Sequence, residues 1–590
     1  MHKKGIVLMK EKKKKNVPAL PTRWCEEHFY VETIRELVQT SAQIYSERNA
    51  FLVKERPGGP YCGISYPRAL TDMEGLVTAL LDLGLKDQKI AIIGESRYEW
   101  ILTFLAVESG IGVAVPLDRE LPPAEIANLM ERAEASAIVY SGKTGKRLQE
   151  ALDQMPPEKR PEFCINMDLP EDRDGHLSMK KLVQHGRARV KAGDLRCREL
   201  PIDPEAMGVL LFTSGTTGYA KGVMLSQKAI LANVMNMQKV VHIERLTTLS
   251  VLPIHHTYEL TCDQLAVLFG GNTVAYCEGL KHIVKNLQEA KANVMLGVPL
   301  LFESIHKKIW KSAEKSGKAK TMRRAVQLSK AVGGGKTKAA AKVFKQVHEA
   351  VGGQMKLLIA GAAAIDPNVV EDFCAMGIPM IQGYGMTECC PIIALNPPER
   401  PKASAAGLPL PGTEVRIEDP DESGIGEIVA KSPSVMLGYY KDPEETAKVL
   451  KDGWLYTGDY GYLDSDGFVH ITGRKKNVIV TKNGKNIFPE EVEFYLLKEE
   501  CIKEVVVYGK EEEETGETVV VAAIFPDYDL LKSRGAETEE EFRKLVKEAV
   551  DKANDQMPLY KRVKRFDLRD TEFEKTTTKK IKRFTALEQK

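Results

Sequence analysis

A dense run of small and hydroxylated residues, ending in a lysine, follows the apolar pair Leu211-Phe212 near the middle of the chain. Glycines let backbone N–H groups approach phosphate oxygens, hydroxyls donate further hydrogen bonds, and one lysine supplies positive charge. The pattern predicts a phosphate-binding loop after a buried strand, with a flexible Ser/Thr/Gly turn as the alternative. The predicted contacts are Thr213, Ser214, Gly215, Thr216, Thr217, Gly218 and Lys221.

A second glycine-rich stretch, Gly333-Gly-Gly-Lys-Thr337, imitates the nucleotide-binding pattern GxxxxGK[ST]. The first glycine of that pattern would stand where Lys330 stands, and no apolar strand precedes it. We interpret the stretch as a hinge between two basic helices. This interpretation disfavours a P-loop phosphotransferase or NTPase.

The bulk composition indicates a multidomain globular protein. Its 590 residues are too many for one core, and the apolar and charged fractions, 43% and 28%, are ordinary for globular proteins. The formal net charge is only +2, which disfavours nucleic acid as a partner, because phosphate binding usually needs a concentrated basic surface.

The ten cysteines include no CxxC pair, which favours neither a zinc site nor a disulfide framework. We therefore expect a reducing, cytoplasmic compartment. Residues 1–16 form a lysine-rich tail, within which Met9 offers a second start. The tail is interpreted as disordered and solvated, or else as a foothold on the anionic inner face of a membrane. A homodimer also stays open.

Short apolar runs alternate with helix-like stretches from about residue 30 to about 430, which is typical of α/β layering. After the run Gly222–Leu225, Ser226 is placed to cap a helix with an apolar face at Ile230, Val234 and Met237. The other predicted buried strands are Lys89–Ile93, Gly112–Pro116, Ala137–Tyr140, Gly208–Phe212 and Lys356–Ile359.

The pattern changes over the last hundred residues. Val505–Tyr508 and Val519–Phe525 predict strands, and Thr538 with Glu541 predicts a capping box that opens an amphipathic helix. We expect a large domain over residues 17–473 and a small α+β domain over 474–590. Residues 305–353, rich in Lys, Ala and Gly, are predicted to form an insertion of exposed helices.

Four further motifs follow the loop in order: Gln382-Gly-Tyr-Gly-Met-Thr-Glu388, Tyr456-Thr-Gly-Asp459, Gly473-Arg-Lys-Lys476 and Phe573–Ile581. With the loop they closely resemble the motifs of the AMP-forming acyl-CoA synthetase superfamily, over essentially residues 30 to 590. The closest branch is that of the long-chain fatty acyl-CoA synthetases. The resemblance implies an α/β fold, with a large N-terminal domain of layered α/β subdomains and a small, mobile C-terminal α+β domain.

The resemblance implies ATP, Mg2+ and coenzyme A as cofactors and a fatty acid as substrate. It assigns the departing phosphates to Thr213–Lys221, the α-phosphate and the acyl carboxylate to Thr387, and Mg2+ to Glu388. The remaining implied roles are stacking on adenine for Tyr384, the base-lining loop for Gly361 and Ala362, the ribose hydroxyls for Asp459 and Arg474, and adenylation for Lys580.

For acyl transfer to coenzyme A, the resemblance implies a swing of the small domain about Lys476 and passage of the pantetheine arm beside Gly484. Leu252–Glu259 resembles a substrate-channel motif, and His256 matches its catalytic histidine. Pro is replaced by Ala220 before the loop lysine, and Glu574 and Lys579 stand where many members have Pro and Gly. These departures point toward the long-chain branch.

The stretch Ser96-Arg-Tyr-Glu-Trp100, the 305–353 insertion and Glu259 favour a long acyl chain, with a medium-chain or aryl acid as an alternative. The predicted activity is formation of acyl-AMP with release of pyrophosphate, followed by formation of acyl-CoA. Two other functions stay open: a fatty acyl-AMP ligase that loads an acyl carrier protein, and a non-catalytic relative that binds acyl adenylates or lipids.

Overall fold

The structure is a computed structural model and describes residues 29–213, 220–242, 244–331, 344–480, 486–512, 518–576, 580–583 and 586. Two large sheets with helices around them form most of the molecule. The largest cluster of buried side chains joins Phe51 and Val274 of one sheet to Ile90 and Ala137 of the other. This shared core gives the N-terminal domain its layered α/β architecture.

The first large sheet is parallel from Met380–Gly385 through to Asn49–Val53 and has antiparallel strands at both edges. In spatial order its strands are Leu408–Pro409, Ile392–Leu395, Met380–Gly385, Leu357–Ala360, Val294–Gly297, Thr247–Ser250, Thr273–Tyr276, Asn49–Val53 and Cys62–Ser65. The central strands are almost entirely buried, as parallel strands covered on both faces must be.

The second large sheet carries the candidate phosphate loop. Its strands, in spatial order, are Gly438–Tyr439, Lys221–Ser226, Met207–Thr213, Gly112–Leu117, Gln88–Ile93, Ala137–Tyr140, Phe163–Asn166 and His176–Ser178. Each of the five strands predicted from apolar runs is present in one of the two large sheets, and every end lies within one residue of its predicted position. Ser226 also caps the predicted helix, since its side chain accepts a hydrogen bond from the N–H of Ala229.

A smaller antiparallel sheet follows in the chain and carries two predicted site residues. In spatial order it contains Glu414–Glu418, Gly426–Lys431, Trp454–Leu463 and Leu450–Lys451, and Val469–Arg474 also pairs with Trp454–Leu463. The hairpin formed by Trp454–Leu463 and Val469–Arg474 makes Asp459 and Arg474 register partners.

Helices cover the sheets and the ends of the strands. Over the described residues the α-helices are Ile34–Ile44, Tyr66–Asp82, Tyr98–Ala106, Pro123–Ala133, Gly145–Gln154, Met179–Lys191, Arg196–Glu199, Gln227–Gln238, Thr257–Glu259, Ala266–Phe269, Ile283–Glu289, Pro299–Lys315, Ala319–Ala331, Lys345–Ala350, Pro367–Ala375, Pro443–Val449, Pro489–Leu496, Tyr528–Ser533 and Glu539–Asn554. Two π-helices, Val107–Ile111 and Leu260–Leu265, interrupt this pattern.

The C-terminal part is a small α+β domain with its own core, as predicted. A sheet of Ile502–Glu511, Thr518–Pro526 and Arg565–Leu568 packs on Glu539–Asn554, and a short ladder pairs Ile479–Val480 with Asn486–Ile487. The predicted capping box is present, because Thr538 accepts from the N–H of Glu541 while the Glu541 carboxylate accepts from the N–H of Thr538.

The insertion differs from the prediction in two ways. Its first helix begins at Pro299 rather than near residue 305, and its helices are not exposed on every side. Ile309, Val326 and Val347 are buried in the same apolar cluster as Phe373. Lysine is so abundant here that the apolar residues at every third or fourth position were overlooked. Such spacing is enough to bury one face of a helix.

In the part of the chain that the structure describes, no helix is both long and apolar enough to cross a membrane. The lysine-rich tail at residues 1–16 and the predicted hinge at Gly333–Thr337 lie outside the described residues.

Candidate active site

A β-hairpin brings together the two ends of the candidate phosphate loop. Met207–Thr213 pairs antiparallel with Lys221–Ser226, so that Thr213 and Lys221 are register partners. The Thr213 hydroxyl lies 3.5 Å from the carbonyl oxygen of Lys221. Ser214, Gly215, Thr216, Thr217 and Gly218 lie outside the described residues.

Lys221 lies in an anionic and aromatic environment. Its Nζ is 2.5 Å from Oε2 of Glu445 and 4.8 Å from the centre of the Tyr439 ring. The Lys221 ammonium is the main reason that the pKa of Glu445 falls to about 2, and Lys448 adds to this effect. Glu445, which was not among the predicted site residues, lies in the helix Pro443–Val449.

Thr387 and Glu388 lie on a single 3-10 turn, Thr387–Cys389, directly after the strand Met380–Gly385. Asn233 fixes the far side of this turn, because its amide donates to the carbonyl oxygens of Cys389 and Ile392 at 3.2 and 2.9 Å. Both predicted residues are therefore held at the carboxyl end of a buried strand, where ligands of open α/β sheets usually bind.

The Glu388 carboxylate accepts a hydrogen bond from the Tyr439 hydroxyl at 2.9 Å, beside Lys221. Burial, followed by the negative charge of Glu388, raises the pKa of Tyr439, so this phenol stays a donor. Within the described residues, no group of three or more His, Cys, Asp or Glu side chains is placed to hold a metal ion. A lone carboxylate suits Mg2+, which commonly takes one or two carboxylates and completes its shell with water and substrate phosphates.

Asp459, Arg474 and Tyr384 form a compact polar cluster. Oδ1 of Asp459 is 2.8 Å from Nε of Arg474, and Oδ2 accepts a hydrogen bond from the Tyr384 hydroxyl at 2.7 Å. Burial raises the pKa of Asp459, and the opposing effects of Arg474 and Tyr384 do not cancel it. The Asp459 side chain is only 6% exposed, whereas that of Arg474 is 44% exposed. The exposed part of the Arg474 side chain can therefore donate further hydrogen bonds.

Lys580 extends toward this cluster from near the end of the chain. The backbone N–H of Thr576 donates a hydrogen bond of 2.8 Å to the Lys580 carbonyl oxygen. The residue as a whole is exposed, but its ammonium group is desolvated by the surrounding protein. This desolvation lowers the pKa of Lys580, the charge of Arg474 acts in the same direction, and Asp459 opposes both.

His256 lies near Lys580, at the turn before the helix Thr257–Glu259. Burial lowers its pKa well below the ordinary value, and the neighbouring His255 and the charge of Lys580 act in the same direction. The two histidine rings are 4.2 Å apart. His256 is therefore a neutral imidazole, which can donate or accept a hydrogen bond.

The loop after the strand Leu357–Ala360 depends on Gly361. A Cβ there would lie 2.7 Å from the Tyr258 ring, whose hydroxyl donates to the Ile359 carbonyl at 2.9 Å. The next residue, Ala362, has a φ of 72°, a left-handed conformation that is unusual for alanine. The close contact between Gly361 and the Tyr258 ring holds this loop in place.

Lys476 belongs to the 3-10 turn Lys475–Asn477, immediately after Arg474. Burial lowers its pKa to about 8, and the charges of Arg474 and Arg583 contribute. Its neighbour Lys475 is anchored instead, with Nζ 2.6 Å from Oε2 of Glu427. The structure thus brings Lys476 to the edge of the site, whereas Gly484 lies outside the described residues.

The sequence motifs did not point to Tyr439 or Glu445, and they included Tyr258 only as one position of Leu252–Glu259. Each of the three contacts a predicted site residue. A faint signal was present for one of them. Asp442-Pro443 opens a helix in the way that capping residues do, and this places Glu445 in its first turn.

Comparison with known proteins agrees with this architecture. Residues 38–440 match the family described as AMP-binding enzyme, and residues 476–589 match the AMP-binding enzyme C-terminal domain. The chain belongs to the AMP-binding enzyme family.

Two similar curated proteins are long-chain-fatty-acid–CoA ligase 5 of Rattus norvegicus and long-chain-fatty-acid–CoA ligase 1 of Homo sapiens. Each is 29% identical to this chain; the matches cover 86% of this chain and 77% and 76% of the two relatives. Among solved structures, the anthranilate CoA ligase AuaEII in complex with anthranoyl-AMP superposes with a TM-score of 0.73 at 18% identity. That match covers 96% of this chain and 98% of the other.

Proposed function

We propose that the protein is an ATP-dependent fatty acid–CoA ligase. It would join a fatty acid carboxylate to the α-phosphate of ATP, release pyrophosphate, and then transfer the acyl group to the thiol of coenzyme A with release of AMP. The observation that carries the proposal is the meeting of the Asp459–Arg474 pair with Lys580, which comes from a separate motif more than a hundred residues further along the chain.

In the first step a carboxylate oxygen attacks the α-phosphorus, and the bond to the pyrophosphate oxygen breaks. The triphosphate repels the carboxylate, so positive charge must converge on the reacting groups. We assign Lys221 to the departing phosphates and Lys580 to the charge that develops between carboxylate and α-phosphate. Thr387 would orient the α-phosphate from its turn at the strand end.

Glu388 would hold Mg2+ at the phosphates, since its carboxylate lies beside Lys221 and Tyr439. The ion would neutralise negative charge on the leaving pyrophosphate. Tyr439 keeps the carboxylate oriented by donating to Oε1 of Glu388.

The nucleoside would bind along Asp459, Arg474 and the loop at Gly361 and Ala362. Asp459 pairs with Arg474, and its carboxylate oxygens would accept hydrogen bonds from the ribose hydroxyls. Tyr384 donates to the same carboxylate, so we assign it to the wall of the nucleoside site next to the ribose.

For the second step we propose that the small domain, with a boundary between Gly473 and Arg474, turns about Lys476. The thiolate of coenzyme A then attacks the acyl carbonyl, and AMP leaves. The partly desolvated ammonium of Lys476 is at the junction between the two parts of the chain, and Gly484 is assigned to the passage of the pantetheine arm.

The assignment of a long acyl chain rests on the relatives, because the rat and human proteins are long-chain-fatty-acid–CoA ligases. His256 supports an acyl site close to Lys580, since a neutral imidazole can lie beside an apolar chain at low desolvation cost.

A panel of fatty acids of increasing length tests the proposal, with ATP and coenzyme A present and with pyrophosphate and thioester both measured. The proposal predicts equal amounts of both products, with the highest rates for long chains. Pyrophosphate without thioester would identify a ligase that loads another acceptor. If no acid gave either pyrophosphate or thioester, the result would favour a non-catalytic binding protein.

A further inference from the structure

Two consecutive helices of the N-terminal domain carry an unusual concentration of positive charge. Between residues 299 and 331 the chain has nine lysine and arginine residues against two glutamates, although the whole chain is nearly balanced at 84 basic and 82 acidic residues. The helices are Pro299–Lys315 and Ala319–Ala331.

Each helix buries one side and exposes the other. Phe302, Ile309 and Ala313 are buried on the first helix and Val326 and Ser329 on the second. The exposed sides of the two helices, together with Lys318 between them, are called the cationic face below. The helices contribute Lys307, Lys308, Lys311, Lys315, Lys320, Arg323 and Arg324 to it. The first four follow helical spacing, so their side chains project from one side of the first helix.

Most of this charge is not neutralised within the molecule. Arg323 lies 3.4 Å from Glu314, and Lys330, at the end of the second helix, pairs with Glu371 and Asp372 at 3.0 and 2.9 Å. Among the described residues, no carboxylate lies within ion-pair distance of the other seven basic side chains between residues 299 and 331. So many unpaired like charges repel one another and favour an anionic partner.

Exposed apolar side chains accompany the charges. Leu328 of the second helix is 69% exposed and Leu300 of the first is 53% exposed. Leucine gains nothing from nucleic acid phosphates, but it gains from entering the boundary of a lipid layer, and lysine is attracted to anionic headgroups. This combination favours a membrane surface over RNA or DNA.

The same helices lead directly to the candidate active site. The first helix starts two residues after Gly297, whose carbonyl oxygen accepts a hydrogen bond from the N–H of Gly361 at 3.1 Å. A protein that docks through these helices would keep this end of its active site close to the bilayer, where fatty acids partition.

We propose that the cationic face docks the protein on an anionic lipid surface. The biological reason, delivery of a membrane-dissolved acid, rests on the proposed function, whereas the docking itself does not.

The test uses the full chain and vesicle cosedimentation without ATP, coenzyme A or fatty acid. Vesicles of phosphatidylcholine alone are compared with vesicles containing about one third phosphatidylglycerol. The wild type should bind the anionic vesicles, bind the neutral ones at least tenfold more weakly, and lose binding as salt is raised.

Three full-length variants, each with four Lys→Gln changes, locate the docking surface. The first changes Lys307, Lys308, Lys311 and Lys315; the second changes the exposed Lys532, Lys544, Lys547 and Lys564 of the small domain; the third changes Lys12, Lys13, Lys14 and Lys15. We expect at least a tenfold loss of binding for the first and less than a threefold change for the other two. An unchanged thermal midpoint shows that the first variant is folded.

Equal losses for the first and second variants would overturn the proposal, because net charge alone would then explain binding. Loss only in the third variant would assign docking to the tail. Tighter binding of wild type to duplex RNA than to anionic vesicles at the same salt would also overturn it. Docking without any ligase activity would overturn the proposed function and leave the docking proposal standing.

Discussion

The ammonium group of Lys221 lies 2.5 Å from the carboxylate of Glu445 and over the ring of Tyr439, which itself donates to Glu388. One short segment of the chain thus contacts both the lysine assigned to the phosphates and the carboxylate assigned to Mg2+. A carboxylate and a phosphate oxygen at the same ammonium repel each other, so Glu445 competes with the substrate for Lys221.

Glu445→Gln should therefore lower the KM for ATP by about three- to fivefold with little change in kcat, because a partly exposed ion pair contributes up to about 1 kcal/mol. Steady-state kinetics with varied ATP measures this effect. Glu444→Gln, on the same helix and exposed, is the matched control and should leave the KM unchanged. A higher KM in Glu445→Gln would mean that Glu445 orients the lysine instead of competing for it.

Lys580→Ala should reduce acyl-AMP formation by at least a hundredfold and leave thioester formation from supplied acyl adenylate within threefold of wild type. The reason is that Lys580 lies by the Asp459–Arg474 pair and would act on charge that develops only during adenylation. Each half-reaction is assayed separately.

Lys582→Ala is the control for this experiment, because Lys582 is paired with Glu574 nearby. It should keep both half-reactions. If both halves fall together in Lys580→Ala, the role given to Lys580 is wrong.

Tyr384→Phe should raise the KM for ATP by about fivefold to thirtyfold, since it removes the donor to the buried Asp459 carboxylate, a loss of roughly 1–2 kcal/mol. Kinetics with varied ATP checks the change. Tyr462→Phe, on the same strand as Asp459, should not alter the KM. Identical behaviour of the two variants would show that the Tyr384 hydroxyl does not support the nucleoside site.

The buried carboxyl group of Glu108 should make the free energy of unfolding depend on pH. It is fully buried in the π-helix Val107–Ile111, and burial raises its pKa to about 8. Between its unfolded pKa and pH 8 the folded protein keeps a proton that the unfolded chain loses. This group therefore makes the free energy of unfolding fall as pH rises, by about 1.4 kcal/mol per pH unit.

Glu108→Gln removes this proton, so its stability should depend less on pH than that of wild type. Thermal midpoints of both proteins at several pH values from 5 to 8 reveal the difference in slope, whatever the absolute midpoints are. Parallel curves would show that Glu108 is not a neutral carboxyl in the folded protein.

The sequence predicted the strands and caps well because they depend on local patterns. The run Ala137–Tyr140 and the box formed by Thr538 and Glu541 need no knowledge of distant residues. The side of a helix that packs inward was less predictable where lysines dominated, as around Ile309.

Contacts between residues far apart in the chain could not be predicted from the sequence. Asp459 and Arg474 were named separately, but only the hairpin register makes them neighbours. Glu445 is 224 positions from Lys221, and no local pattern connects them. The pKa shifts of His256 and Lys580 likewise depend on burial created by the whole fold.

We propose that the protein forms an acyl adenylate, and exchange of labelled pyrophosphate into ATP reports on this step alone. We expect exchange that requires a fatty acid and Mg2+, proceeds without coenzyme A, and falls at least a hundredfold in Lys580→Ala. Absence of exchange with every fatty acid, or release of ADP and phosphate in place of AMP and pyrophosphate, would contradict it.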